Sequence, residues 1–197
     1  IFVFIIENLG KTVKKIKFSS IFAKNREINI LSGARFFLFG ARDIWFVVGL
    51  PIFLSIKLDW TPSEIGFYMA CWIIGYGFIQ SLAPKFVEGN AETSRTWLIV
   101  ILIITLLITL GLYWDFHSVN FVLVGLIFFG IAFAINSSIH SYLIMAYSDK
   151  DRVAMNVGFY YMSNAGGRFF GTLLSGLLFQ LGGMTYCMTG SLIFLTL

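Results

Sequence analysis

Long stretches without any charged residue constrain the fold of this chain more than any other feature. Four segments lack Asp, Glu, Lys and Arg over at least 19 residues each, namely 65 to 84, 96 to 114, 116 to 148 and 169 to 197. A helix of about 20 apolar residues crosses the ~30 Å hydrocarbon core of a bilayer. Only 12% of the residues are charged, about half the share found in soluble domains. The sequence therefore predicts an integral membrane protein.

Two further spans carry charge, and the pair Gly182-Gly183 is a turn signal that divides the last apolar run. We predict an all-α membrane bundle over 28–197, with spans at about 28–57, 64–84, 96–114, 119–147, 153–181 and 184–197. The final 14 residues are too few to cross a bilayer, and residues 1–6 resemble the tail of a preceding transmembrane helix. The chain is therefore expected to be truncated at both ends.

The basic residues alternate between the two ends of the predicted bundle. Lys and Arg in excess mark cytoplasmic loops. One set of loops holds ten of them, whereas the alternate set holds only Lys57; the ten are Lys11, Lys14, Lys15, Lys17, Lys24, Arg26, Lys85, Arg95, Lys150 and Arg152. This predicts a multi-pass protein of the cell (inner or plasma) membrane. Residues 7–27 are predicted to form a basic cytoplasmic connector, with an amphipathic surface helix as the alternative.

Composition and missing motifs exclude several classes of function. The net charge of +4 lies in loops beside apolar runs rather than on a soluble face, so no nucleic-acid partner is expected. Cys71 and Cys187 are isolated thiols without metal-ligand spacing, and we predict no metal site and no cofactor. The phosphate-binding loop GxxxxGK[ST] and the hydrolase motifs HExxH and GxSxG do not occur in the sequence, which argues against an ATP-driven pump or a membrane enzyme.

The predicted spans differ in polarity in a repeating way. If the six helices form two units of three, each unit has polar first and second helices and an apolar third, such as 96–114. Internal repeats of opposite topology are typical of secondary transporters. We therefore predict a six-helix half made of two inverted three-helix repeats.

Three arginines and one aspartate fall inside predicted spans. Arg42, Asp43 and Arg168 lie near the middle of their spans, and Arg35 shares a helix face with Arg42. Intramembrane charges are expensive and face a cavity, a partner or a functional site. The surplus of +2 favours an anionic substrate, because guanidinium binds carboxylate and phosphate through a two-donor fork. The alternative is that these residues form structural ion pairs between helices.

Several polar residues are further candidates for the lining of a transport pathway. His140 and Asn136 lie four residues apart on one helix face, and Gln80 and Asn164 lie on two other spans. Asp43 and His140 are the candidates for proton coupling, with an ion pair and a fixed hydrogen bond as their respective alternatives. Ser163, Gly167, Gly171 and Ser175 form a stripe of small residues, which predicts close helix packing.

Three segments carry a resemblance to a known family: ARFFLFGARDIWFVVGLPIFL (34–54), CWIIGYGFIQSLAPK (71–85) and NSSIHSYLIMAYSDKDRVAMNVGFYYMSNAGGRFFGTLLSG (136–176). They resemble the C-terminal half of a major facilitator superfamily transporter, and within that superfamily the organoarsenical efflux permeases. The resemblance implies a twelve-helix fold whose N-terminal half is a missing part of the same chain. It also implies alternating access and export of arsenylated phosphoglycerate, driven by proton exchange.

The sequence thus predicts a secondary transporter, not an enzyme, that exports a small organic anion. Its partners are expected to be the anion, the lipid bilayer and the N-terminal half. Two alternatives stay open, namely a superfamily exporter of a drug or sugar, and a membrane scaffold that transports nothing.

Overall fold

The structure of the chain is a computed structural model that describes residues 25–114, 119–149 and 152–197. The predicted helix tail at 1–6 and the predicted connector up to residue 24 lie outside the described residues. So do positions 115–118 and 150–151, which belong to two of the predicted loops.

Every regular element in the described ranges is helical. The elements are α1 (Arg26–Phe46), α2 (Gly49–Leu58), α3 (Pro62–Leu82) with a short 3-10 turn (Ala83–Lys85), α4 (Ala91–Tyr113), α5 (Val119–Ala146) and α6 (Val153–Thr196). Five helical segments are long and apolar enough to cross a membrane. Their outer faces expose large apolar side chains such as Ile74, Phe78 and Leu181, as lipid contact requires. The predicted all-α membrane fold is confirmed.

The span predicted at about 28–57 consists of two consecutive helices, α1 and α2, separated by a short break. α1 ends at Phe46 and α2 begins at Gly49. Pro51 explains the break, because a proline ring clashes with the carbonyl four residues earlier, here that of Val47, and donates no N–H to it. The Ser175 hydroxyl oxygen accepts hydrogen bonds from the freed N–H groups of Val48 (3.3 Å) and Gly49 (3.1 Å).

Two helices begin earlier than the charge-free runs indicate, because asparagine caps fix their starts. The Asn25 side chain accepts a hydrogen bond from Glu27 N, so α1 begins at Arg26 and includes the end of the predicted connector. The Asn90 side chain accepts one from Thr93 N, so α4 begins at Ala91 rather than at 96. Charges in a first helical turn lie near the membrane surface, where they cost little.

The long helix α6 has two arms. Its 44 residues are interrupted at Gly182 and Gly183, whose backbones are not helical, and sequence analysis places the break between spans at the same pair. Gly183 has φ of +63°, a left-handed conformation that glycine adopts without steric cost. Residues 153–181 are called the first arm below, and residues 184–196 the second.

The helices pack as two three-helix units that make equivalent contacts with each other. If α1–α2, α3 and α4 are unit one, and α5 and the two arms of α6 are unit two, each unit's first helix packs on the other's second. Thus α1 packs on the first arm, and α5 on α3. Each unit's third helix packs on the other's first, as the contacts Ile108–Gly125 and Phe194–Gly40 show. This pattern fits two inverted three-helix repeats.

Close approach of α1 and the first arm of α6 depends on small residues. A Cβ atom at Gly171 would lie 2.5 Å from the Gly40 carbonyl oxygen, and one at Gly167 would overlap the Phe36 carbonyl oxygen. Both glycines belong to the small-residue stripe predicted to mediate packing. The backbones of the two helices are therefore in direct contact, as small-residue interfaces in membranes allow.

The substitution Gly167→Ala should loosen this interface. Its methyl group has no space beside the Phe36 carbonyl, and overpacking costs about 1–3 kcal/mol. The matched control is Gly158→Ala on the same helix, where a Cβ meets nothing within 4 Å and alanine improves helix propensity. Thermal unfolding of the detergent-solubilised full chain measures both variants. Equal midpoints for the two alanine variants would contradict the packing role.

Candidate functional site

One carboxylate and two guanidinium groups meet where α1 contacts the first arm of α6. Arg42 Nη2 lies 2.6 Å from Asp43 Oδ1, and Arg168 Nε donates to Asp43 Oδ2 at 3.0 Å. The Asp43 side chain is 1% exposed and that of Arg42 11%, whereas that of Arg168 is 54% exposed. The cluster carries a net charge of +1 and presents a guanidinium on an open face of the chain.

The close contact between Gly171 and Gly40 determines the position of this charge cluster. Gly171 packs on the backbone of Gly40, and a Cβ at Gly171 would lie 3.1 Å from the Asp43 Cβ. A larger residue at 171 would push α1 away and carry Asp43 out of reach of Arg168, which lies one turn earlier on the same arm. The small-residue stripe and the charge cluster are therefore parts of one interface.

Arg35 occupies a second, deeper position one heptad before Arg42. Its residue is 4% exposed, and its Nη1 donates to the carbonyl oxygen (3.2 Å) and the hydroxyl oxygen (2.9 Å) of Ser137 on α5. Its guanidinium carbon lies 3.9 Å from the ring centroid of Phe39. Within the described residues, no carboxylate pairs with Arg35.

Donors converge on the hydroxyl oxygen of Ser137. Besides Arg35, the Tyr76 hydroxyl (3.2 Å) and the Gln80 amide nitrogen (3.4 Å) from α3 donate to it. A hydroxyl oxygen has only two lone pairs, so three donors exceed what it can accept. Arg35 Nε has no hydrogen-bond partner in the described part of the chain. Among the described residues, this position therefore has more hydrogen-bond donors than acceptors.

The ring of Phe39 lies between the two positions. The guanidinium carbons of Arg35 and Arg42 lie 3.9 Å and 5.0 Å from its centroid, and Phe133 faces Arg42 at 5.4 Å. Aromatic faces attract cations more strongly when water is excluded. These rings stabilise two like charges on one helix without neutralising either.

Asn136 and His140 lie on the same helix as Ser137, and that they line the transport pathway stays a prediction. Both border a cavity of about 540 Å³ between α1, α4, α5 and the end of α6. Asn136 Oδ1 accepts a hydrogen bond from Ser94 of α4 at 2.8 Å. Asn136 lies about 100° around the axis of α5 from Ser137, whereas His140, three residues after Ser137, lies on nearly the same face.

The structure thus divides the candidate residues predicted from sequence into three groups. Arg42, Asp43 and Arg168 form the charge cluster, with Asn164 one turn from Arg168 and its buried Oδ1 without a hydrogen-bond partner among the described residues. Arg35 and Gln80 meet at Ser137. Asn136 and His140 border the separate cavity.

Sequence reasoning missed two serines that organise these groups, namely Ser94 and Ser137, and assigned Ser175 to helix packing alone. Serines are common packing residues in membrane helices, so the sequence contains no signal that separates these from the rest. For metals, no group of three His, Cys, Asp or Glu side chains lies together in residues 25–114, 119–149 and 152–197.

Loss of Asp43 should destabilise the fold far more than loss of Arg168. Asp43→Asn leaves Arg42 with no carboxylate at a site that is almost fully buried, and breaking a buried pair costs about 3–5 kcal/mol. Arg168→Gln leaves the Arg42–Asp43 pair intact and removes a half-exposed partner, which costs about 0–1 kcal/mol. Chemical denaturation of the two variants of the full chain in detergent measures the difference. Equal losses would show that Asp43 does not hold the interface.

Comparison with known protein families identifies the family of this chain. The family model described as "Major Facilitator Superfamily" matches residues 31–197, which include every helix from within α1 to the end of α6. A search of curated proteins gave no individual match. The match covers most of the chain. It agrees with the helical membrane fold, in which two three-helix units make equivalent contacts with each other. The chain belongs to the major facilitator superfamily of membrane transporters.

Proposed function

We propose that this chain is the C-terminal half of a secondary active transporter that moves a small organic anion by alternating access. The observation that carries the proposal is the surplus of positive charge inside the bundle. Three arginines lie within the spans, and the one carboxylate described there, that of Asp43, pairs with Arg42 and Arg168 but not with Arg35. A permanent cationic surplus within a membrane span is expensive, and an anion bound at that place would neutralise it.

The charge cluster of Arg42 and Arg168 and the position of Arg35 have different roles in substrate binding. Arg168 and Arg42 bind the oxyanion groups of the substrate, because Arg168 is half exposed and Asp43 occupies only part of the donor capacity of each guanidinium. Asn164 lies one turn away on the same arm. Arg35 and Gln80, with their excess of donors at Ser137, form a second binding position nearer the basic end of the bundle.

Asp43 is the proposed carrier of a coupled proton. An anion that binds both Arg42 and Arg168 competes with the Asp43 carboxylate for the same N–H groups. A carboxylate deprived of these partners in a buried position is neutralised most readily by a proton. Proton transfer at Asp43 would thus be linked to anion occupancy of the site, while coupling by proton exchange rests on the resemblance.

The proposed orientation of the chain in the membrane rests on the distribution of basic loops. We propose a multi-pass protein of the cell (inner or plasma) membrane, with the basic connector in the cytoplasm. The missing N-terminal half of the same chain would cover the open face on which Arg168 lies. Transport outward follows from the resemblance to efflux permeases.

The proposed substrate is arsenylated phosphoglycerate, which would make the protein an organoarsenical efflux permease that confers arsenate resistance. Its support is the resemblance of the three quoted segments, together with a cationic site that suits a small polyanion. Another exporter of this superfamily, for a drug or a sugar, is the second candidate. It would not require the arginine forks.

Substitution of Arg42 tests the anion site. In the full-length protein, both Arg42→Lys and Arg42→Gln should reduce the export rate about tenfold or more, because a charge-assisted hydrogen-bond pair is lost in each. The matched control is Lys57→Gln, an exposed cation at the opposite end of the same span. Export is measured at equal membrane expression. Normal export by both Arg42 variants would remove Arg42 from the site.

A cellular assay tests the substrate. Arsenate-sensitive cells would express the full-length protein with and without a glyceraldehyde 3-phosphate dehydrogenase, which makes the arsenylated ester. Lower cellular arsenic only when both proteins are present is the expected result. If membrane expression is verified and arsenic is unchanged, the arsenylated substrate is wrong, while the anion site is judged separately by the Arg42 variants.

A further inference from the structure

The guanidinium group of Arg42 has one edge that the charge cluster does not use. Its Nε and Nη2 lie 2.7 Å and 2.6 Å from Asp43 Oδ1. Its Nη1 donates to no acceptor in the described part of the chain, and this atom is not fully buried. A guanidinium carries N–H donors on every edge. The Nη1 edge is therefore the part of Arg42 that is free to bind the oxygen atoms of an anion.

Three aromatic rings surround the same guanidinium. Its carbon atom lies 5.0 Å from the ring centroid of Phe39, 5.4 Å from that of Phe133 and 6.0 Å from that of Phe46. All three distances are within the ~6 Å over which an aromatic face attracts a cation. The rings bring no acceptor oxygen, so they attract the charge of Arg42 without competing with an anion for its N–H groups.

The ring of Phe133 is held in place by its own neighbours. It is fully buried, and its centroid lies 5.0 Å from that of Phe39 on α1 and 5.7 Å from that of Phe129 on α5. The ring of Tyr76 on α3 also lies 5.7 Å away. A close-packed interior leaves a ring in such a position little freedom to turn. The orientation of Arg42 thus depends on α5 as well as on its own helix.

Loss of this attraction would release the Arg42 side chain. A guanidinium that no ring holds can turn its free edge toward the second oxygen of Asp43 or toward water. Only those molecules in which Nη1 is free and correctly placed would then bind an anion, and the apparent Kd rises as their fraction falls. Preorganisation of this kind raises the affinity of a site without adding a contact to the ligand.

We propose that Phe133 and Phe39 are positioning residues of the transport site, whose rings hold the Arg42 guanidinium with its Nη1 edge presented to an anionic substrate. The inference rests on the proposed anion site at Arg42. Phe133 gives the cleaner test of the two. The ring of Phe39 also lies 3.9 Å from the guanidinium carbon of Arg35, whereas Phe133 faces Arg42 alone among the described arginines.

Leucine substitutions on α5 test this role. The full-length protein in detergent is titrated with 3-phosphoglycerate, an anion with a phosphate and a carboxylate, and calorimetry gives the Kd. Phe133→Leu should raise the Kd about three- to thirtyfold, the range expected for one cation–π contact. The matched control is Phe129→Leu, one turn earlier on α5, which is equally buried and faces no guanidinium among the described residues. Equal changes in both variants would indicate lost packing and overturn the proposal.

Fluorinated phenylalanines at position 133 keep the test decisive if Phe133→Leu does not fold. Fluorine withdraws electron density from the ring face and changes the shape of the ring little. Replacement of Phe133 by monofluoro-, difluoro- and trifluorophenylalanine should therefore raise the Kd in steps. A ring with a merely structural role would affect the thermal unfolding midpoint and leave the Kd unchanged. A constant Kd across the series would overturn the proposal.

The Arg42→Gln background separates failure of this inference from failure of the proposed function. In that background, Phe133→Leu should not change the residual affinity further, because the ring acts through Arg42. The same fold-change in both backgrounds would overturn the positioning role and leave the anion site standing. If the wild-type protein does not bind 3-phosphoglycerate, or if Arg42→Gln binds it normally, the proposed anion site is wrong and this inference fails with it.

Discussion

The contact between the backbones of α1 and the first arm of α6 is the constraint on which the rest of the structure depends. Gly167 and Gly171 leave no side chain between the helices, so Asp43 of one comes within hydrogen-bond distance of Arg168 on the other. In lipid, the hydrophobic effect does not drive such helices together, and van der Waals packing with a few polar contacts must suffice. The glycines supply the packing, and the cluster supplies the polar contact.

The same contact connects the charge cluster with the break in the first span. Ser175 lies one turn after Gly171, and its hydroxyl oxygen accepts hydrogen bonds from the N–H groups of Val48 and Gly49 at the break between α1 and α2. One helix face thus holds Arg168 against Asp43 and also holds the end of α1 against the start of α2. A shift of the first arm along α1 therefore acts on the charges and on the break together.

Much of this arrangement could be predicted from sequence. Spans, polar first and second helices, the small-residue stripe and the midplane charges follow from hydropathy and spacing. The break at Val47–Val48 could have been predicted from Pro51. Hydropathy alone does not indicate it, because Pro51 lies within an apolar run without charged residues. The separation of Asn136 from Ser137 could not have been predicted from sequence. The helix α5 is apolar on most sides, and its sequence does not indicate which face meets which neighbour. Only packing against Ser94 of α4 and Arg35 of α1 assigns them.

The contacts of Arg35 are the main support for the proposed binding site over a purely structural ion network. Structural charges inside membrane proteins pair with one another or with backbone carbonyls, and Arg42 with Asp43 obeys that rule. Arg35 obeys it only in part, since one of its nitrogens has no partner in the described residues and three donors share one serine oxygen. The Phe39 ring contacts the guanidinium group of Arg35 as well as that of Arg42. A site with too few acceptors, held rigid by aromatic rings, is stabilised most by a ligand that brings acceptor oxygens and negative charge. An ion network built only for stability would instead place a second carboxylate there.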